Sequence, residues 1–190
     1  MTMNDRTLTG LGGLAAVLAT LFLAGPGHAQ ACPDTMQNGQ VRHMSAETLA
    51  RAPLRLSIPA GGDIDLVGCP EVEHLEARGY VTFQPDLTLR LTENPNRRRI
   101  DFRVESACDA VMLVNTPSGE WRWDDDGNGN LDPAIAVNRA RTGWWDVWLG
   151  RLDRPDACRA QLIVSAGPPG SKPTAARASS PGYRTSSYRK

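Results

Sequence analysis

The chain has 190 residues with 21 basic and 21 acidic side chains, and its 41% hydrophobic content suits a globular body. The balance hides a polarity: residues 32–166 hold 15 basic and 20 acidic side chains, whereas Lys172, Arg177, Arg184, Arg189 and Lys190 follow with no acid among them. A body of net −5 argues against a nucleic-acid-binding role, and 135 residues fit one domain.

The N-terminus reads as a secretory signal over residues 1–31. Arg6 lies in a short polar region, an apolar run extends from Leu11 to Leu23, and small residues suit cleavage after Ala29 or after Ala31. Gly12, Gly13 and Thr20 interrupt the run, which is short for a membrane span of ~20 apolar residues. The expected location is therefore periplasmic or secreted, with no membrane span after signal removal.

Export gives the four cysteines a meaning. Cys32, Cys69, Cys108 and Cys158 all lie in the mature chain, an even number for an oxidising compartment. Three pairings are available. Cys108 with Cys158 is preferred because each opens an apolar strand-like run, and Cys32 with Cys69 then ties the mature N-terminus to the body. The spacing is wrong for a zinc knuckle.

Residues 32–52 are polar and irregular, with one helical turn over Ser45 to Arg51 before Pro53. Leu54, Leu56 and Ile58 alternate with polar neighbours and predict a strand, and Ile64 with Leu66 a second. Glu71 to Gly79 is charged and reads as a surface loop. Leu87, Leu89 and Leu91 alternate with Asp86, Thr88, Arg90 and Thr92; Ile100, Phe102 and Val104 alternate with Arg99, Asp101 and Arg103. With Glu93-Asn-Pro-Asn96 between them, these two runs predict an antiparallel hairpin with one wet face. Ala110 to Val114 suits a central strand, and the Thr116-Pro-Ser-Gly119 turn returns it to Glu120-Trp-Arg-Trp123. Ala134 to Val137, Trp144 to Leu149 and Ala160 to Ser165 complete the strands. Short strands, frequent turns and almost no helical period predict an all-β, jelly-roll-like antiparallel β-sandwich over residues 32–166. The Pro/Gly/Ser-rich basic tail, 167–190, is expected to be disordered.

Two stretches bear on function. In Asp124-Asp-Asp-Gly-Asn-Gly-Asn-Leu-Asp132, Asp124, Asp126 and Asn128 fall at positions one, three and five of a calcium loop, with Gly129 at six and Asp132 at nine. Position twelve, where a bidentate Glu belongs, is Ile135. The readings are a weak calcium site built from Asp124, Asp126, Asn128, Asn130 and Asp132, or a hairpin loop whose repelling carboxylates are compensated by Arg122, Arg139 and Arg141. In the second stretch, alternation puts Trp145, Val147 and Leu149 on one face and Trp144, Asp146 and Trp148 on the other. The latter three predict an exposed aromatic platform for a sugar or peptide, or else a face that the rest of the chain covers.

The ordered features from Arg98 to Ser165 resemble a family. They run from the alternating Ile100-Asp-Phe-Arg-Val104 to Cys108-Asp-Ala-Val-Met-Leu-Val114, the Pro-Ser-Gly turn at 117–119, the acidic loop, Leu131-Asp-Pro133, and Gly143-Trp-Trp-Asp-Val-Trp-Leu-Gly150. In this order they resemble the bacterial pre-peptidase C-terminal (PPC) domain, a small secreted β-sandwich found beside exported hydrolases. The resemblance covers about half of the mature chain and implies a β-sandwich without catalytic activity that accompanies another protein. Its calcium ligands do not align with Asp124 to Asp132.

Catalysis is weakly signalled. His43 and His74 lie in polar segments, and none of Ser57, Ser106 and Ser118 stands in a Gly-x-Ser-x-Gly elbow. Asp124, Asp125 and Asp126 are neighbours in one loop, which does not set the ~5 to 9 Å separation of a glycosidase pair. The sequence thus predicts an exported non-catalytic binding or accessory module of PPC type, with a calcium-stabilised loop as its one cofactor site and an exported protein or glycan as partner. A carbohydrate-binding module using Trp144 and Trp148 is the alternative, and an unrecognised hydrolase comes third.

Overall fold

The structure is a computed structural model that describes residues 31–171. The signal segment up to residue 30 and the basic tail from residue 172 lie outside the described residues. In chain order the strands are β1 (Gln40–Met44), β2 (Leu54–Ala60), β3 (Ile64–Asp65), β4 (Tyr80–Val81), β5 (Leu87–Leu91), β6 (Arg99–Ser106), β7 (Ala110–Asn115), β8 (Trp121–Asp124), β9 (Ala134–Val137), β10 (Gly143–Arg151) and β11 (Cys158–Gly167). Between β1 and β2 lies one short helix, α1 (Ala46–Arg51).

Two sheets face each other. The larger holds β1, β5, β10, β4 and β3, with β7 and β8 on the other side of β10; the smaller runs β2, β11, β6, β9. Their inward side chains form the main core: Leu87, Leu89, Leu91, Met112, Val114, Trp145, Val147 and Leu149 from one sheet meet Ile58, Ile100, Phe102, Val104, Leu162 and Val164 from the other. Phe102 and Trp145 touch across the interface with ring centroids 5.7 Å apart. This is the expected sandwich, and alternation located its inward residues because one face of each strand must be dry.

Several local expectations are corrected. Residues 40–44 form a strand, and it runs parallel to β5, Val41 opposite Thr88 and His43 opposite Arg90. The turn after it is helical as predicted: the Ser45 hydroxyl accepts from the Thr48 amide at 3.1 Å, which is an N-cap, and Ala46 and Leu49 are buried. The runs 87–91 and 99–106 do not pair. β5 lies beside β10 and β6 beside β11, so the Asn-Pro-Asn connection passes from one sheet to the other. Alternation shows that each run has a dry face; it does not distinguish a hairpin from two strands that face each other across a core. The expected wet face of β6 is also largely dry, since Arg99 and Asp101 are buried as an ion pair 2.6 Å apart.

The stretch 71–79 is not a bare loop. Val72 and Ala77 are buried around a 3₁₀ turn at Glu73–Leu75 and pack, with Leu66, Cys69 and Val81, onto Val111, Leu113 and Trp148. A second small core therefore covers part of the outer face of the larger sheet. The Cys32–Cys69 disulfide pins this cover, and Cys108–Cys158 closes the smaller sheet, both as the sequence predicted. Gly150 is required where β10 passes β4, because a Cβ there would stand 2.4 Å from the Tyr80 carbonyl oxygen. The tail begins later than expected: β11 extends to Gly167, and Ser171 returns to hydrogen-bond Arg99 through its carbonyl and its hydroxyl.

Candidate functional site

The uncovered part of the larger sheet's outer face presents a cross-strand row. His43, Arg90 and Trp144 stand side by side on β1, β5 and β10. The Arg90 guanidinium lies over the Trp144 ring at 5.1 Å, and His43 meets the ring edge-on at 5.7 Å. Trp144 remains 45% exposed, and Val41 is exposed one step along the same face. An exposed tryptophan stacked with arginine is a pairing of a large apolar surface with a fixed cation.

The next row inward is buried and polar. The Thr88 hydroxyl donates to the Asp146 carboxylate at 2.7 Å while accepting from the Gly39 amide at 3.0 Å. Burial holds the Asp146 carboxyl above its ordinary range, with the Thr88 bond opposing the shift. Asp146 is thus a support beneath the face rather than part of a contact surface.

Trp148 departs from expectation. It is fully buried, 5.3 Å from the Trp121 ring, and its indole nitrogen donates to the Phe83 carbonyl at 3.4 Å. Trp144 and Trp148 therefore do not form a two-ring platform. Segment 64–81 covers one of them and leaves the other bare. The pairing of Arg90 and His43 with Trp144 was not legible beforehand, because nothing local sets β5 beside β10 or β1 beside β5.

The carboxylates of the acidic loop point to separate partners. One Asp124 oxygen accepts from the amides of Gly127 and Ala134 at 2.8 and 2.7 Å, which closes the loop on itself. Asn128 donates its side-chain amide to the Val104 carbonyl at 2.7 Å, and its backbone amide donates to the Asp132 carbonyl at 2.9 Å. Asp132 is buried and shares a hydrogen bond with Ser106, whereas Asp126 and Asn130 are exposed. Among the described residues no three His, Cys, Asp or Glu side chains come together to hold a metal. Ile135 is a core residue of β9, so a Glu at the twelfth position would have to enter the dry interior. Asn128 Oδ1 and Asp132 Oδ1 are buried without a hydrogen-bond partner among the described residues, whereas Asp124 is engaged by two amides. Together these bonds build a hydrogen-bonded hairpin end.

Nor are Arg122, Arg139 and Arg141 the counter-charges of that loop. Arg122 pairs with Glu120 at 2.7 Å. Arg139 and Arg141 lie at the far end of β9, where they line clefts together with the 116–120 turn. Without those cations the loop carboxylates repel: Asp125 is raised by burial and then by Asp126, and Asp109 by burial and then by Asp126, Asp125 and Asp153.

The serines and histidines stay apart. Ser57 and Ser106 line a groove of about 610 Å³ on the smaller sheet beside Cys158, and its lining includes no histidine or carboxylate. Ser106 donates to the Cys108 carbonyl, and Ser118 shares a hydrogen bond with Thr116. His43 belongs to the Trp144 row, and His74 is exposed on the 3₁₀ turn. No arrangement of nucleophile, base and orienting acid arises from these residues.

The chain matches no family model and no curated protein. Among solved structures it is similar to PliG of Aeromonas hydrophila, a periplasmic inhibitor of g-type lysozyme, at 10% sequence identity. The likeness covers 68% of this chain and 99% of that one, with a TM-score of 0.37. It carries no argument about function. Among the described residues no helix is long and apolar enough to cross a membrane.

Proposed function

We propose that the chain is an exported, non-catalytic module that docks a protein partner through the His43, Arg90 and Trp144 face of its larger sheet. The observation that carries this reading is Trp144, 45% exposed beneath the Arg90 guanidinium while the neighbouring part of the same face is covered. Tryptophan and arginine are the residue types that most often dominate protein interfaces. Two disulfides support an oxidising compartment outside the cytoplasm. A filled core between the sheets supports a scaffold whose work is done at its surface.

The PPC-like accessory role agrees with the sandwich and with the order of β6 to β11, and it stays part of this proposal. The carbohydrate reading is weaker than the sequence suggested, because one ring has replaced two and a guanidinium occupies part of its face.

Wild-type protein and Trp144→Ala, each immobilised and exposed to periplasmic extract, test the proposal. A protein retained by the wild type and lost with Trp144→Ala is the expected result. Electrophoresis through gels containing soluble polysaccharides is the second arm. Retardation there that disappears with Trp144→Ala would establish the glycan reading, and equal behaviour of both proteins in both arms would remove this face as the binding surface.

A further inference from the structure

Beyond the Trp144 row, where β5 ends and β10 begins, lies a cleft lined by arginines. Arg97, Arg139 and Arg141 share a concavity with Asn94, Pro117 and Thr142, and an adjoining one adds Arg122 and Glu120. The two hold about 360 and 270 Å³. Arg97, Arg139 and Arg141 are exposed, and among the described residues none of the three forms an ion pair, whereas Arg98 and Arg122 beside them are taken up by Glu47 and Glu120. Glu93, in the turn that leads to Asn94, is exposed and pairs with none of them.

Their placement is built rather than incidental. The Asn94 side chain donates to the Arg98 carbonyl at 3.0 Å and to the Ala140 carbonyl at 2.9 Å, and accepts from the Arg98 amide at 2.8 Å. One amide thus staples the turn carrying Arg97 to the loop carrying Arg139 and Arg141. The Trp145 indole fixes the other end of that loop by donating to the Arg141 carbonyl at 3.2 Å. Arg97 and Arg139 both hold left-handed backbone, with φ of 50° and 51°, a conformation unfavourable for a long side chain and tolerated by asparagine. The molecule is also polarised: the carboxylates of Asp109, Asp125, Asp126 and Asp153 repel one another around the acidic loop, at the other end of β8 and β9 from these arginines.

Three guanidiniums on a fixed frame, none of them paired with a carboxylate of the described residues because Glu120 beside them is taken up by Arg122, form a fork for anionic oxygens. We infer that this cleft binds carboxylates of an acidic segment of the protein partner. The inference rests on the docking proposed for the Trp144 face: Thr142 and Gly143 lead directly into Trp144, and Leu91 to Asn94 continue directly from Arg90, so a partner covering that row reaches the cleft. It adds the chemistry of what is recognised.

The test uses a hexaglutamate peptide as probe, followed by calorimetry at about 0.02 M and about 0.15 M ionic strength, with screening lengths near 20 Å and 8 Å. Combined Arg97→Asn and Arg139→Asn remove two charges where asparagine accepts the backbone, and near-ultraviolet circular dichroism confirms the fold. Arg154→Gln removes one charge outside the cleft. The inference requires saturable binding, weakened at least tenfold by the double variant and less than twofold by Arg154→Gln. No measurable binding, or a similar loss in all charge variants, would overturn it. So would inorganic phosphate binding that is lost in the double variant while hexaglutamate does not bind, because the cleft would then be a site for small anions. Trp144→Ala leaves hexaglutamate binding unchanged. Failure of the docking face and failure of the cleft are therefore read separately, the first by partner capture and the second by the peptide.

Discussion

Asp86 places a carboxylate oxygen 2.7 Å from the backbone amide of Leu149, where β10 is paired with β7 on one edge and has no strand on the other. β10 pairs with β5 as far as Val147 and meets β4 only at Arg151. Leu149 falls in the gap, so its amide is satisfied by Asp86 and its carbonyl accepts from the Gly61 amide at 3.1 Å. A side chain thus replaces a missing rung of the ladder, and the replacement is ionisable.

The first prediction follows from that ionisation. Burial pushes the Asp86 carboxyl up to about 7 against its usual 3.8, with the Leu149 bond pulling the other way. The folded protein therefore keeps a proton that the unfolded chain releases above its ordinary carboxyl range. Stability from this group is full below about pH 4 and declines until about pH 7, above which it changes no further. Asp86→Asn retains an acceptor for the Leu149 amide and cannot ionise. It should raise stability at pH 8 by on the order of 1 to 3 kcal/mol and flatten the decline between pH 4 and 7. Urea unfolding at a series of pH values measures this; a variant less stable than wild type at pH 8 would contradict it.

Towards acid the sign reverses for a different pair. Glu47 accepts from Arg98 at 2.8 and 3.0 Å and from Asn96, which holds its carboxyl down to about 2. Its contribution is present above pH 4.5 and is lost as pH falls towards 2. In Glu47→Gln the loss of stability between pH 4.5 and 2 should be shallower than in wild type, and an unchanged slope would show that the pair adds nothing.

The two disulfides should be distinguishable. They close segments separated by 37 and 50 residues, and chain entropy gives each about 4 kcal/mol, with a usual range of 2 to 5. Replacing Cys32 and Cys69 by alanine should also loosen the cover over Trp148 and shift tryptophan emission to the red before global unfolding. Loss of Cys108 and Cys158 should lower the melting temperature without that earlier step. Identical fluorescence profiles for both variants would argue that the cover does not open separately.

Calcium should not stabilise the acidic loop. The melting temperature is expected to be the same in chelator and in millimolar calcium. Asp124→Ala should cost about 1 to 3 kcal/mol in either condition, because the amides of Gly127 and Ala134 lose their acceptor. Asp126→Ala should be nearly neutral, since it removes a charge that raises Asp125 and Asp109. A melting temperature that rises with calcium and falls back with Asp126→Ala would restore the metal reading.

The last prediction concerns the C-terminal end of β11. Arg99 and Asp101 are buried together, and Ser171 supplies the guanidinium with two further acceptors. Ending the chain at Ala166 should cost about 1 to 3 kcal/mol, as expected when a buried cation loses hydrogen-bond partners. A chain ending at Ser171 retains those acceptors and isolates their contribution. Equal melting temperatures for the two truncations would show that Ser171 is dispensable.

Much of the fold was legible because its signals are local. Leu87, Leu89 and Leu91, or Trp145, Val147 and Leu149, announce a dry face through a period of two, and Ser45 announces a helix start through its hydroxyl. The cysteine pairing followed from which strands the cysteines open. Pairing between strands was not local: the same alternation in 87–91 and 99–106 serves a hairpin or two opposed sheets, and packing across Phe102 and Trp145 decided for the sheets. The candidate site depended on tertiary structure more heavily still. Trp144 and Trp148 are equivalent in the alternation and differ because segment 64–81 buries one of them, and only the folded loop brings two backbone amides onto one Asp124 oxygen. Sequence by itself determined which side chains must leave water; the tertiary structure decided what meets them there, since desolvation is a property of each residue and contact is a property of distant pairs.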